Sequence, residues 1–424
     1  MTLPRFVDVR PGASPREARL TQAAVWLTFG AAVSIVLSIW ISQTLMLWPA
    51  VACLLLSGEK LRLPPIKLPL GLFMLGTLIS LACSGEIVHG RPQIKKFLVF
   101  LVLLVVYSCL RNGVVVRWLF LTWAVLGAAA ALLGAAQFVY KFEQARQAGV
   151  SFEPYYTTER ITGFMSHWNT FSEEEMFILL MLGAFLFFAP PAGKRLWIWV
   201  SCAALLAIAL VLAETRGVWF ATVLGGLYLV WFWRRKLILL VPVVVAALLF
   251  TPVVGDRVRS IIRPERSDSN TFRVIVWRTG IEMIKRHPLL GLGPDGPKFH
   301  FQEYIPADIP RPLPEGFYQH VHNVYLQYAA DRGIPTALMM VWLLVQVVVD
   351  FWRGLRRLAP GPSTRKFLLH GGIAIVLATM VDGVVEYNLG DSEYLTMFLV
   401  VVGCGYLALE KGLIEDRPRA VQAP

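Results

Sequence analysis

The chain has 424 residues, of which 56% are hydrophobic and 16% are charged, and its mean hydropathy is +0.59. Soluble proteins carry about 25% charged residues, and here the apolar residues stand in long blocks. Cytoplasmic enzymes, nucleic-acid-binding modules and disordered scaffolds are therefore excluded, and the composition indicates a multi-span membrane protein. The net charge of +12 fits this class, because cytoplasmic loops of membrane proteins collect Lys and Arg.

The apolar blocks predict an all-α polytopic fold with about twelve transmembrane helices, since about 20 apolar residues cross a bilayer. The predicted spans are 23–41, 44–57, 68–84, 96–110, 118–140, 174–190, 196–213, 217–233, 237–254, 334–352, 367–386 and 393–410. The first block is too long for a signal-peptide core, so we expect it to be retained. Lys and Arg in the short loops predict that both termini are cytoplasmic.

The five cysteines lie in or beside apolar blocks and show neither CxxC nor His-rich spacing. They are Cys53, Cys83, Cys109, Cys202 and Cys404. This pattern predicts small buried hydrophobic residues rather than a disulfide framework or a metal site.

Three regions are predicted along the chain. Residues 1–254 form a bundle of nine spans with an outer loop at 141–173. Residues 255–333 form a long, partly helical outer loop, and residues 334–424 hold three spans and a cytoplasmic tail. The loop at 255–333 contains eleven Lys and Arg residues and four of the seven histidines. Because loops of this length usually carry function, we expect the catalytic segment there.

The long loop is predicted to contain a helix over 271–286, which Pro288 ends and which carries Arg273 and Trp277 on one face. The following residues, 291–296, read GLGPDG and fit the pattern GxGxxG. No strand precedes them, a proline interrupts them and the outer compartment holds no nucleotide. We therefore predict a tight turn rather than a nucleotide site.

A second helix is predicted over 324–332, with Gly333 just beyond its end. His322 precedes this helix, where the positive end of the dipole disfavours an imidazolium. A neutral imidazole in that place is a competent general base near pH 7. The alternative is that His322 only caps the helix.

Three arginines are candidate anion-binding residues. Arg216 follows the seventh span at the outer mouth, where an ionised residue indicates function, although it could instead extend to the lipid headgroups. Arg160 and Arg273 lie in the two outer loops, where the alternative is a solvated charge. The planar guanidinium binds phosphate oxygens in pairs, which favours a phosphate target.

The acidic candidates have less specific patterns. Residues 173–175 are three glutamates that could form the N-terminal cluster of the sixth span. Asp382 and Glu386 are four apart at the outer end of the eleventh span, and Asp391 and Glu393 follow. They could bind a cation or pair with the arginines. Pairing is favoured because the sequence has no DxD, HExxH or other metal signature, so we expect no metal and no cofactor.

A cluster of outward-facing arginines at the membrane implies an anionic substrate held at the lipid surface. A polyprenyl diphosphate has this form, with a tail in the bilayer and two phosphates at the interface. Its diphosphate is also a leaving group, so cations could stabilise the departing charge while a base activates an acceptor hydroxyl.

In these motifs and in its span pattern, the chain resembles the O-antigen ligase and O-antigen polymerase superfamily of bacterial envelope proteins, and most closely the ligases. The motifs are RITGFMSHWN at 160–169, ETRG at 214–217, FRVIVWRTGIEMIKRHPLLGLG at 272–293 and HNVYLQYAADRG at 322–333. Each motif alone has low specificity, whereas the ordered set is fairly specific.

The resemblance implies an inverting, metal-independent glycosyl transfer at the periplasmic face of the bacterial inner membrane. The implied donor is an undecaprenyl diphosphate-linked glycan and the acceptor is lipid A-core, as in lipopolysaccharide biosynthesis. By motif, His322 would be the acceptor base, and Arg160, Arg216 and Arg273 would bind the diphosphate. The family has Pro after the histidine of its span-six motif, whereas Trp168 follows His167 here, so His167 is given no role.

Other functions are compatible with the same residues. An O-antigen polymerase or a protein O-oligosaccharyltransferase would use the same donor, and acceptor choice depends on groove shape. A transporter of envelope precursors would hold its charges near the bilayer midplane on broken helices in repeated halves. No such repeat is evident, and the charges crowd the outer rim instead. A purely structural envelope protein would tolerate alanine at Arg216 and His322.

Overall fold

The structure is a computed structural model that describes residues 10, 12–85, 87–240, 269–314, 316 and 318–413. Every regular element in these residues is helical, which confirms the all-α membrane fold. Six helical segments among them are long and apolar enough to span a bilayer. The predicted ninth span falls largely outside the described residues, as do both termini, so twelve spans remain a prediction.

The α-helices are numbered in chain order. They are α1 (Pro15–Ser34), α2 (Trp48–Leu56), α3 (Lys67–Cys83), α4 (Ile87–Lys95), α5 (Leu101–Cys109), α6 (Gly113–Gln147), α7 (Phe152–Thr158), α8 (Trp168–Phe188), α9 (Arg195–Ala213), α10 (Arg216–Arg234), α11 (Ser269–Arg286), α12 (Gly296–His300), α13 (Val324–Leu355), α14 (Thr364–Asp382) and α15 (Ser392–Leu409). A π-helix, Ile41–Leu47, precedes α2, and 3-10 turns lie at Lys96–Phe100, Arg235–Leu240, Phe301–Glu303 and Asn388–Gly390.

The first helix is displaced toward the N-terminus relative to the predicted span at 23–41. It begins at Pro15 because Ser14 and Glu17 form a capping box, with each side chain bonded to the backbone of the other. It ends at Ser34, and the chain then turns so that the Ile41–Leu56 segment contacts it. The predicted boundary at residue 41 is therefore wrong.

Four helices form the frame of the functional region. α14 packs against α8, α10 and α13, and most of its length is buried. The N-termini of α8, α10 and α13 and the C-terminus of α14 lie at the same end of this group, around one cavity. The loops that join at this end therefore determine which side chains face the cavity.

α13 combines two predicted elements, the loop helix at 324–332 and the span at 334–352. Gly333 has φ +81° and interrupts the helical geometry between them, so the two parts form a kinked helix. A Cβ at Gly333 would lie 2.0 Å from the carbonyl oxygen of Leu289. Glycine is required here by both the backbone conformation and this close approach.

The glycine-rich segment after α11 docks on this kink. The amide of Leu292 donates to the carbonyl oxygen of Ala330 at 2.8 Å, and that of Ile334 donates to the carbonyl oxygen of Pro288 at 2.8 Å. Gly291 adopts φ +68°, as a tight turn requires. The prediction of a turn at 291–296 is confirmed.

The five cysteines are free thiols. Cys109 and Cys404 are buried as predicted, whereas Cys53 and Cys202 are partly exposed. Cys83 is exposed at the end of α3, so the prediction of burial is wrong there.

Candidate active site

A cavity of about 930 Å³ lies where α8, α10 and α13 begin and α14 ends. All four residues predicted as site residues line it: Arg160, Arg216, Arg273 and His322. They come from four separate segments, so the fold brings together groups that are up to 162 positions apart in sequence. Whether they act as predicted remains a proposal.

His322 is positioned by its backbone as well as by its side-chain partners. It has φ +49°, a left-handed conformation that is uncommon for a residue with a side chain. The cap of α13 is the next residue, Asn323, whose side-chain oxygen accepts from the amides of Tyr325 and Leu326 at 3.0 and 2.9 Å. The alternative that His322 only caps the helix is therefore wrong.

Glu386 joins His322 to Arg273. Its Oε2 lies 3.1 Å from Nδ1 of His322, and its Oε1 accepts from Nη2 of Arg273 at 3.0 Å. Burial acts to raise the pKa of Glu386, but the hydrogen bond and charge of His322, together with Arg273, outweigh it and lower the pKa to about 2. The side chain is therefore a carboxylate at neutral pH. A carboxylate only accepts, so Nδ1 carries a proton and Nε2 is the ring nitrogen left to exchange a proton with a substrate.

Two aromatic residues of α11 fix the same segment. Nε1 of Trp277 donates to the backbone oxygen of His322 at 3.2 Å. The ring of Phe272 meets the His322 ring edge-on at 5.4 Å. With Arg273, which reaches Glu386, α11 thus contacts the backbone, the ring and the carboxylate partner of His322.

His320 lies beside His322, with ring centroids 4.0 Å apart and an angle of 51° between the ring planes. Burial, together with the adjacent His322 ring, lowers the pKa of His320 to about 3. The ring is therefore neutral at physiological pH, and its Nδ1 faces the amide of His322 at 3.4 Å.

Arg160 and Arg216 occupy another part of the cavity wall. The guanidinium of Arg160 lies 5.5 Å from the ring centroid of Trp168, and its Nη1 donates to the carbonyl oxygen of Glu214 at 3.4 Å. Glu214 has φ +52° and turns the chain directly into α10, whose first residue is Arg216. These contacts partly bury Arg160, which argues against the alternative that it is a solvated charge in a loop.

Gly217 allows α10 to begin close to the end of α14. A Cβ at this position would lie 2.6 Å from Cγ2 of Val385 and 3.1 Å from Oδ1 of Asp382. The short distance holds Arg216 beside the segment that carries Glu386.

The glutamates at 173–175 differ from their predicted place. α8 begins at Trp168, where His167 caps it by accepting from the amide of Asn169 at 3.1 Å. The glutamates therefore lie beyond the first turn and are buried, with at most 3% of each residue exposed. The prediction of an N-terminal cluster is wrong, because the helix begins at Trp168 after its His167 cap and not at the glutamates. The structure gives His167 this capping role.

The later acidic residues have separate partners. Glu386 pairs with Arg273, as the favoured alternative predicts. Asp391 caps α15 by accepting from the amides of Glu393 and Tyr394. Asp382 accepts from Nδ2 of Asn388 at 2.9 Å.

Sequence reasoning missed several groups in the cavity wall. Lys96 and Lys298 line it and bring its cations to five with the three arginines. Lys96 donates to the carbonyl oxygen of Gly390 and so links the 3-10 turn between α4 and α5 to the turn before α15. Gln93 donates to Oδ1 of Asp295 at 2.6 Å. The sequence feature that could have identified Lys96 is its position at the edge of an apolar block, where a charge is costly.

The arrangement places a base and a set of cations around one cavity. Nε2 of His322 can accept a proton, and Glu386 can stabilise the imidazolium that results. The arginine side chains can bind an anion through paired hydrogen bonds. The cavity therefore has the groups that are needed to activate a hydroxyl and to stabilise an anionic leaving group.

Comparison with known protein families gives one match. Residues 201–341 match the family model described as O-antigen ligase. This region includes Arg216, Arg273 and His322. No curated protein matches the chain.

Proposed function

We propose that this protein transfers a glycan from undecaprenyl diphosphate to lipid A-core. The match of residues 201–341 supports the O-antigen ligase superfamily and glycosyl transfer of the ligase or polymerase type. The observation that carries the proposal is the hydrogen bond between His322 and Glu386 in a cavity that three arginines also line.

In the proposed reaction, a hydroxyl oxygen of the acceptor attacks the anomeric carbon of the donor glycan. Nε2 of His322 takes the hydroxyl proton as the new carbon–oxygen bond forms. The bond between the anomeric carbon and the diphosphate oxygen breaks, and its electron pair leaves with the diphosphate. Attack opposite the leaving group inverts the anomeric configuration.

The charged groups have complementary roles in this proposal. Arg160, Arg216 and Arg273 bind the diphosphate and stabilise the charge that develops as it departs. Glu386 stabilises the protonated form of His322. These roles use only side chains of the chain, and the proposal includes no metal.

The test is transfer by the purified protein in nanodiscs that contain undecaprenyl diphosphate-linked glycan and lipid A-core, with EDTA and without nucleotide. We expect a glycan ladder on lipid A-core for the wild type. His322→Ala should abolish it while retaining donor binding. His287→Ala is the matched control, because His287 lies in the same loop and bonds to Tyr304 outside the cavity lining.

Other products would change the assignment. Lengthening of the lipid-linked glycan without transfer to lipid A-core would identify a polymerase with the same donor. Transfer to a serine-containing protein would identify an oligosaccharyltransferase. Loss of activity in EDTA that added metal restores would contradict the metal-independent step.

A further inference from the structure

A second cavity, of about 440 Å³, lies at the opposite end of the same four helices. Its wall is formed where α8, α10 and α13 end and where α14 begins, whereas the candidate active site lies at their other ends. Among the residues that the structure describes, none lines both cavities. The ligand of the second cavity can therefore be inferred independently of the proposed glycosyl transfer.

One side of this second cavity is a flat aromatic wall. The rings of Phe187 and Trp233 stack in parallel, with centroids 4.3 Å apart and an angle of 3° between their planes. Phe232 meets Trp352 edge-on at 5.1 Å. Trp233 and Trp352 are each 38% exposed. Tryptophans at helix ends are typical of the membrane interface, where lipid chains meet headgroups.

The other side carries positive charge. Arg356 and Lys366 line the opening, and Nζ of Lys366 is held by the carbonyl oxygen of Gly361 at 2.7 Å. The segment 353–366 contains five Lys and Arg residues and no Asp or Glu. The cations at the opening are thus not neutralised by carboxylates of their own segment.

One buried histidine also lines the cavity. His370 has 8% of its surface exposed. Its ring stacks on Phe188 at 3.9 Å, and its Nδ1 lies 3.0 Å from the hydroxyl of Tyr228, so the ring extends the aromatic wall while its polar atom is satisfied. An aromatic wall beside cationic side chains is the chemistry that fits an amphipathic anion.

We propose that this cavity binds an anionic phospholipid. The phosphate lies between Arg356 and Lys366, and the first carbons of an acyl chain lie against Trp233 and Trp352. Charge complementarity selects an anionic headgroup over a zwitterionic one. The predicted orientation of the chain places this end at the cytoplasmic leaflet, which carries the anionic lipids of many membranes.

The test is native mass spectrometry of the full-length protein with phosphatidylglycerol or phosphatidylcholine of the same acyl chains. We expect at least one phosphatidylglycerol to be retained under conditions that remove phosphatidylcholine. Arg356→Gln with Lys366→Gln should weaken retention by about 30-fold, since each cation near an anionic lipid contributes about five-fold. The matched control is Arg353→Gln with Arg357→Gln, which removes two charges of the same segment outside the cavity lining.

Three results would overturn the proposal. Equal retention of the two lipids would show that no anionic headgroup is selected. An equal loss in the control double variant would show a general charge effect of the segment. Complete competition by soluble glycerol phosphate would show a simple anion site in which the aromatic wall has no part. Each result is independent of whether the protein transfers glycans, because the readout is lipid retention.

Discussion

Nδ1 of His322 donates to the carboxylate of Glu386 at 3.1 Å, and this contact joins the start of α13 to the segment that follows α14. The same carboxylate accepts from Arg273, so it contacts both the proposed base and a proposed diphosphate ligand.

We expect Glu386→Gln to lower kcat by about 100-fold or more, because a neutral amide neither stabilises the imidazolium nor fixes Nδ1 as a donor. Donor affinity should change much less. Steady-state transfer rates and donor titrations separate the two effects. Glu303→Gln is the control, since Glu303 pairs with His300 outside the cavity lining. If Glu386→Gln lost donor affinity but kept its kcat, Glu386 would serve only to position Arg273.

Arg216→Lys tests whether the fork of the guanidinium is needed. If Arg216 binds the diphosphate through paired hydrogen bonds, both Arg216→Lys and Arg216→Ala should lose about 100-fold or more in kcat/KM. Arg234→Lys, at the other end of α10, should retain full activity. Full activity of Arg216→Lys would show that a positive charge alone is sufficient.

Gly333→Ala should be strongly destabilising. With φ +81° and ψ +160°, Gly333 lies in a backbone region that is essentially restricted to glycine and costs about 1–3 kcal/mol for a residue with a Cβ. That Cβ would also lie 2.0 Å from the carbonyl oxygen of Leu289. We expect a lower Tm in detergent and loss of transfer as the kink shifts. Gly226→Ala in α10 is the control, because no atom lies within 4 Å of its added Cβ. Equal Tm values for the two variants would contradict this account.

The Tm should fall as the pH is lowered from 7.5 to 5.0, and His320 should account for part of the change. The unfolded chain takes up a proton at His320 near its ordinary pKa of 6.5, whereas the folded protein does so only near 3. Because the unfolded state then binds more protons, stability declines as the pH falls. His320→Gln should make the decline shallower.

Glu386 also makes stability decline as the pH falls, but at lower pH, because its folded pKa of about 2 lies below its ordinary pKa of 4.5. Its stabilising contribution is present above pH 4.5 and is lost as the pH falls toward 2. The range from pH 7.5 to 5.0 therefore avoids the loss of the Glu386 contribution, and the difference between wild type and His320→Gln in that range reports on the histidine. Parallel curves for wild type and His320→Gln in that range would exclude the assigned role of His320.

Much of the helical architecture was predictable, because long apolar blocks with few charges have few other stable forms in a membrane. Arg216 could be chosen for a related reason, since an arginine beside an apolar span is costly and therefore indicates a function. Arg160 and Arg273 could be chosen because a planar guanidinium in an outer loop suits a phosphate target. The structure places all three around the cavity, together with His322.

The partners of these residues were not predictable from periodicity. Glu386 meets His322 only because the end of α14 packs beside the start of α13, and no local pattern encodes which helix ends meet. Lys96 reaches Gly390 for the same reason. The start of α8 was misplaced because His167, an unusual cap residue, begins the helix before the apolar run.

The distribution of the site along the chain also constrains when it can form during synthesis. Arg160 is made early, whereas Glu386 follows His322 by 64 residues and belongs to the region of the last helices. Since synthesis proceeds from the N-terminus, Arg273 and His322 lack their shared carboxylate until that late segment has emerged. A chain that stopped soon after residue 341 would include the family-matching region and all four proposed site residues. It would still lack Glu386, so the nascent protein should acquire its activity only as the final helices are inserted.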